Sequence, residues 1–592
     1  MGEKEPSWNI PASLPEWKDC VVDRACSMLE RDKNHPAILI WSCGNESYAG
    51  ADILAMSKFF QERDSSRVVH YEGVFWNRDF EEISQVESQM YTKPQDVEAF
   101  LNNNPQKPFI LCEYVHAMGN SLGGMKKYTD LADRYPMYQG GFIWDYMDQA
   151  LMRRDVDGKE VLGYGGDFTD RPTDYNFCGN GIVYGTREPS PKAREVKKLY
   201  QNLVIKPELI WDSLKKSSIE VEICNQNLFV DTSDYKFIYQ ILRDGEPVCQ
   251  AEFEVLIKPG ESEKITMPVS VECQPGEYAC QVSAVLKADT IWAEKGLEMA
   301  FGEKVKQVKE TKSELSKIGE AVEEKKSAMK VIHGDVNLGV KGEGFSVLFS
   351  RVDGGIVSLR YHGKEWITKP PMPTYWRATT DNDRGNQFSV RNAMWFSANQ
   401  FWQYQNTQIE VKESPDKVTV TYSYGLPVVP KTETEVIYEV TADGKIAVTA
   451  HYYGQKGLPQ LPLFGMRFRF LSNVNSYTYY GYGPQENYID RANGARLGIF
   501  DGTPEGNLSQ YLVPQECGNR TGVRWLKVSD KEGQALKFTA VESPFEMNVL
   551  PYTAEELEIA LHREELPVPP HYTIVSILGA QRGVCGDDSW GA

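Results

Sequence analysis

ILIWSCGNES, residues 38–47, is the stretch whose reading decides the fold. A short apolar run plunges inward and stops on a polar turn carrying one carboxylate, Glu46. PFILCEYVHAMGNS, residues 108–121, repeats the pattern with Glu113. Apolar runs this short, bounded by turn residues and lacking polar alternation, read as strands buried on both faces. Around them the chain alternates. EWKDCVVDRACSMLERDKNHP has apolar residues at helical spacing, ADILAMSKFFQER reads as helix, RVVHYEG as strand and SQVESQMY as a weaker strand. PQDVEAFLNN and GGMKKYTDLADRY read as helices, QGGFIWDYM as a strand and KAREVKKLYQNL as a closing helix. Strand–helix repetition with such strands predicts a parallel sheet clothed by helices, most simply part of a (β/α)8 barrel with about five strands over residues 1–202.

Beyond that the character changes. Residues 203–302 hold short, often alternating segments such as SSIEVEICNQN and YKFIYQILRDGE between Gly, Pro and Asp turns, the pattern of an immunoglobulin-like β-sandwich. Residues 303–330 are charge-rich with mixed signs and read as a solvated linker. Residues 331–592 are β-rich again and predict a large C-terminal β-sandwich.

At 592 residues the chain exceeds one domain. The net charge of −19 and the lack of a basic stripe argue against nucleic acid and anionic membrane as partners. No apolar run approaches the roughly 18 residues of a membrane span. Eleven scattered cysteines without CxxC spacing suit a reducing, cytoplasmic setting. The 31 Tyr and 13 Trp fit a large β core and sugar recognition equally well.

Catalytic groups of a parallel barrel sit where its strands end, and Glu46 and Glu113 both hold that place. Two facing carboxylates are what glycosidic cleavage needs: one protonates the leaving oxygen, the other attacks the anomeric carbon or activates water. The plain alternative is a pair of salt-bridged surface residues. His116, three residues past Glu113, fits a structural histidine equally well, and Trp144, at a strand end, fits a core aromatic.

The motifs then become specific. NHPAILIWSCGNES (34–47), ILCEYVHAMGNSLGG (110–124), QGGFIWDYMDQAL (139–151), YGGDF (164–168), FCGNGIV (177–183), WRATTDNDRG (376–385), GYGPQENYIDR (481–491), YLVPQECGNRTGVRW (511–525) and GDDSW (586–590) resemble, in order and over essentially the whole chain, the family 2 glycoside hydrolases, and within them the large bacterial β-galactosidases. The resemblance implies retaining hydrolysis of terminal β-D-galactosyl residues through a covalent glycosyl-enzyme. It makes Glu46 the acid/base, Glu113 the nucleophile and Tyr91 its orienting hydroxyl. Asn45, His116, Trp144, Asp174 and Trp590 become substrate contacts, Trp590 lent by the last domain. Magnesium (Glu46) and sodium (Asn180 and the Phe177 carbonyl) are its expected ions, and a homo-oligomer its expected assembly. The acid should carry a raised pKa, and hydrogen-bond donors should surround the nucleophile.

The family's pattern has more upstream: a jelly-roll domain, an immunoglobulin-like domain, the first barrel strands, two further magnesium ligands and a sodium-binding Asp. Both ion sites are therefore expected to be incomplete. Five strands do not close a barrel of eight, so the chain alone is expected to be a fragment with little activity and a tendency to aggregate. Two alternatives remain open: a family 2 enzyme for another sugar, such as a β-glucuronidase, and a non-catalytic carbohydrate-binding or structural fragment.

Overall fold

The computed structural model describes residues 9–214, 216–309, 329–401, 409–414 and 416–590. Its first region is built on five short strands: β1 (Ile40–Ser42), β2 (Val68–His70), β3 (Glu87–Met90), β4 (Phe109–Tyr114) and β5 (Tyr138–Ile143). β1 pairs with β2, β3 with β4 and β4 with β5, all parallel. Between β2 and β3 the ladder gives way to single bonds: the Gln85 amide donates to the Val69 carbonyl, and His70 Nε2 lies 2.6 Å from Ser88 Oγ. The strands thus follow one another in chain order as an arc. The helices stand where the periodicity predicts them: α1 (Lys18–Asp32) precedes β1, α2 (Ala51–Arg63) follows it, α3 (Pro94–Asn102) and α4 (Lys126–Arg134) flank β4, and α5 (Lys192–Leu199) closes the region. β2 and β3 are instead joined by two short 3-10 turns that the sequence reading did not include. The apolar faces of α1 and α2 (Ala25, Leu29, Ile53, Phe60) bury Trp41 and Val69. Val97, Leu101 and Leu131 do the same for Phe109 and Leu111. Pro94 opens α3 at a position where no amide donor is needed.

A hairpin, β6 (Leu151–Arg154) and β7 (Glu160–Gly163), follows β5. The second region is a two-sheet sandwich. One sheet carries β8 (Leu203–Trp211), β9 (Ser217–Asn225) and β12 (Ser262–Val269). The other carries β10 (Tyr235–Arg243), β11 (Glu246–Phe253), β13 (Gly276–Leu286) and β14 (Glu298–Val308). Alternate residues of β9 (Ile219, Val221, Ile223) meet Phe237, Ile241 and Val282 in the core. Asp244 and Gly245, both at positive φ, make the tight β10–β11 turn that such hairpins favour.

Of the stretch read as a linker, residues 310–328 lie outside the described residues. Its start continues β14 to Val308, and its end, Lys330, opens the strand Lys330–His333. The third region differs from a simple sandwich. Its strands divide among four antiparallel sheets sharing one core, and helices (Asp381–Gly385, Phe388–Arg391, Ala393–Gln400) interrupt them. The first of these is fixed by a capping box between Thr380 and Asp383.

Candidate active site at the ends of the parallel strands

Each parallel strand delivers a polar or aromatic group where it ends. β1 leads into the turn of Glu46, β2 into Glu72, β3 into Tyr91, β4 carries Glu113 and is followed by His116, and Trp144 follows β5. Glu46 has φ +63°, a backbone conformation that a side chain rarely adopts, and its side chain is exposed. Its amide donates to Glu72 Oε1 at 2.5 Å, which ties the β1 turn to the end of β2. Tyr91, also at positive φ, grips Glu113 twice. Its amide donates to the Glu113 carbonyl at 2.9 Å and its hydroxyl to Oε2 at 2.8 Å.

Electrostatics links the carboxylates. Glu113 is raised above the ordinary carboxylate range by burial, opposed by the Tyr91 hydroxyl and reinforced by the charge of Glu46. Glu72, almost fully buried, is pushed up to about 7 by burial, against the Glu46 amide and with Glu113 and Glu46 adding repulsion. The strongly raised carboxyl at the site is thus Glu72, a residue for which the sequence reading assigned no role. The signal was present: RVVHYEG ends an apolar strand on a carboxylate, as the other two stretches do.

An aromatic cluster stands over Glu113. Trp590 packs edge-on against Tyr91 (4.9 Å between ring centroids) and His116 (5.3 Å), and Phe177 stacks on His116 at 5.3 Å. Trp590 is half-exposed. Trp144 is partly exposed; its carbonyl accepts the Ala117 amide at 2.7 Å, joining the end of β5 to the His116 loop. Asn45 lies exposed beside Glu46. Asp174 is exposed at the start of the turn Tyr175–Cys178, and no contact to the cluster comes from its side chain among the described residues.

The loop of residues 116–124 is held from both sides. Lys192, fully buried, donates to the carbonyls of Ala117 (2.5 Å) and Gly119 (2.8 Å), and burial lowers its pKa to about 8. From the third region Gln515 Oε1 accepts the Asn120 amide, Arg491 donates to the Ser121 carbonyl, and the Cys585 carbonyl accepts from Gly123. Gly119 has φ +53°, and a Cβ there would lie 2.2 Å from Asp381 Oδ2.

Of the ions, sodium finds a fitting donor. Asn180 Oδ1 is buried without a hydrogen-bond partner among the described residues, and Asn180 Nδ2 reaches the Phe177 carbonyl at 3.0 Å. Magnesium does not fit. It takes hard oxygen ligands, and Glu46 offers one carboxylate. Among the described residues, the trio close enough to share an ion is His70, Glu72 and Cys112. It excludes Glu46 and includes a thiol that burial pushes up to about 12. Both His70 nitrogens already lie against hydroxyls, of Ser42 at 2.9 Å and Ser88 at 2.6 Å.

Residues 1–205 match the glycosyl hydrolases family 2 TIM barrel domain, 221–306 the β-galactosidase domain 4, and 341–592 the β-galactosidase small chain. The chain belongs to glycosyl hydrolase family 2. Within that family it is similar to proteins named β-galactosidase. It is 50% identical to that of Halalkalibacterium halodurans over 599 residues, spanning all of this chain and 57% of the relative. It is 53% identical to that of Clostridium acetobutylicum over 503 residues, spanning 85% of this chain and 54% of the relative. Over 202 residues, 34% of this chain, it is 57% identical to the β-galactosidase large subunit of Leuconostoc lactis, 32% of that relative. The chain thus spans little more than half of the two full-length relatives.

Proposed function

We propose that this site cleaves terminal β-D-galactosyl residues from β-galactosides with retention of configuration. The observation that carries the proposal is the placement of Glu46 and Glu113 where β1 and β4 end, with the Tyr91 hydroxyl holding Glu113 at 2.8 Å. In the first step a Glu113 oxygen attacks the anomeric carbon while Glu46 gives its proton to the departing glycosidic oxygen. In the second, Glu46 takes a proton from water as the water attacks that carbon and releases Glu113. The Tyr91 hydroxyl favours the ionised nucleophile. Trp590 and Trp144 offer flat faces to the sugar, with Asn45, His116 and Asp174 as its polar contacts. Sodium, held by Asn180 Oδ1 and the Phe177 carbonyl, would supply a fixed positive charge for a sugar hydroxyl. No step is assigned to magnesium.

In this reading the five parallel strands are the later part of a (β/α)8 barrel and the middle sandwich is immunoglobulin-like. A homo-oligomer in a reducing, cytoplasmic compartment goes with it; the eleven cysteines are all unpaired. Among the described residues no helix is long and apolar enough to cross a membrane.

The test is hydrolysis of nitrophenyl β-D-galactoside by this chain, alone and mixed with the N-terminal part of the Halalkalibacterium relative, with nitrophenyl β-D-glucuronide as competitor substrate. Galactoside turnover that Glu113→Gln removes is the expected result. Turnover indifferent to Glu113→Gln, or a preference for the glucuronide, overturns the proposal.

A further inference from the structure

His116 is buried, and its Nδ1 lies 2.7 Å from the hydroxyl of Ser589, 473 positions away in the chain. That hydroxyl lies 2.8 Å from Asn382 Oδ1, and Asn382 Nδ2 lies 3.0 Å from the Val584 carbonyl. All three side chains are buried. The direction of every bond follows from the far end. A backbone carbonyl only accepts, so the Asn382 amide nitrogen must face Val584 and its oxygen must face Ser589. An amide oxygen only accepts, so the Ser589 hydroxyl donates to it. The same hydroxyl has one proton, already spent, so towards His116 it offers a lone pair. Nδ1 must therefore carry the hydrogen, and Nε2 of the neutral ring is left as an acceptor.

We propose that Ser589 and Asn382 are positioning residues that lock His116 as the Nδ1–H tautomer, so that Nε2 accepts a hydrogen bond from a hydroxyl of the bound sugar. The consequence for recognition rests on the galactosidase reading, while the tautomer itself does not. A site with an obligatory acceptor demands a hydroxyl donor at the ring position it meets. It discriminates against a fluorine there, which cannot donate. Free imidazole side chains favour the opposite, Nε2–H form, so without the relay the ring would offer the sugar a donor.

The test is long-range proton–nitrogen correlation of the histidine-labelled protein at pH 8, where the ring is neutral, for the native chain, Ser589→Ala and Ser589→Thr. His116→Gln identifies the signal. The expected result is an Nδ1–H pattern in the native chain, drift towards Nε2–H in Ser589→Ala, and the native pattern in Ser589→Thr, which keeps the hydroxyl. An Nε2–H pattern in the native chain overturns the proposal even if no variant folds, and so does an unchanged tautomer in a folded Ser589→Ala. Where the chain turns over galactosides, a monofluoro series adds a second readout. One ring position should lose roughly tenfold in kcat/KM on fluorination in the native chain, and Ser589→Ala should erase that difference. The Nδ1–H pattern without galactoside turnover would defeat the functional reading and leave the relay standing.

Discussion

Tyr91 shows how much one side chain can hold. Its hydroxyl reaches Glu113 Oε2 at 2.8 Å and opposes the burial that raises this carboxyl. Tyr91→Phe removes a hydrogen bond to a charged group, so kcat/KM should fall roughly ten- to a hundredfold. The sign of the pH effect follows. Losing a donor that lowers the Glu113 pKa moves its ionisation to higher pH, so the acid limb of the kcat/KM profile should shift upward. A limb that stays in place would mean that another group titrates there. For Glu46→Gln the expected loss is roughly 10²–10⁴-fold in kcat/KM, which reports the first step, with a poor alkoxide leaving group. It should be smaller with nitrophenolate, which leaves without a proton. Measuring both substrates separates acid catalysis from general damage to the site.

At the scale of elements, the loop after β4 is the vulnerable part. Lys192 on α5 supplies donors to the Ala117 and Gly119 carbonyls inside the protein. Lys192→Met keeps the length of the side chain and removes both donors. It should cost about 1–3 kcal/mol for each carbonyl left unpaired, read as a lower midpoint in urea. The strands and helices of this region were legible because local rules agree with the fold: apolar runs for β1 and β4, helical spacing for α1 and α2. Glu46 and Glu113 stood out because each follows or ends such a strand, whereas Tyr91, His116 and Trp144 took their roles only from the resemblance. Trp590 was legible only through the resemblance of GDDSW. Ser589 and Asn382 left no local trace, since what matters about them is a partner hundreds of positions away. The division of the third region into four sheets was hidden too, because strand periodicity says which face is buried but not which strand is the neighbour.

Across the whole molecule, the first and third regions meet through polar groups withdrawn from water. Glu516 sits at this seam. Its carbonyl accepts from Asn120, and its carboxyl, raised to about 7 mainly by burial, accepts from Asn548 and Gln581. In the unfolded chain such a group loses its proton near 4.5. Between pH 4.5 and 7 the folded state therefore binds the extra proton, and stability falls as pH rises through this window. Glu516→Gln removes that slope. The urea midpoint of the native chain should drop relative to the variant from pH 4.5 to 7, by an equivalent of about 3 kcal/mol at most. Parallel curves would mean that Glu516 is ionised throughout.

The bond between His116 and Ser589 closes a loop of 473 residues, and that span has a kinetic meaning. Contacts so remote in the chain are slow to find, and they reward the chain only after the intervening sheets have formed. The aromatic cluster over Glu113 should therefore be among the last features to appear on refolding. After dilution from denaturant, the far-ultraviolet signal of strands and helices should return first. The fluorescence of Trp590, read as the difference between the native chain and Trp590→Phe, should lag behind it.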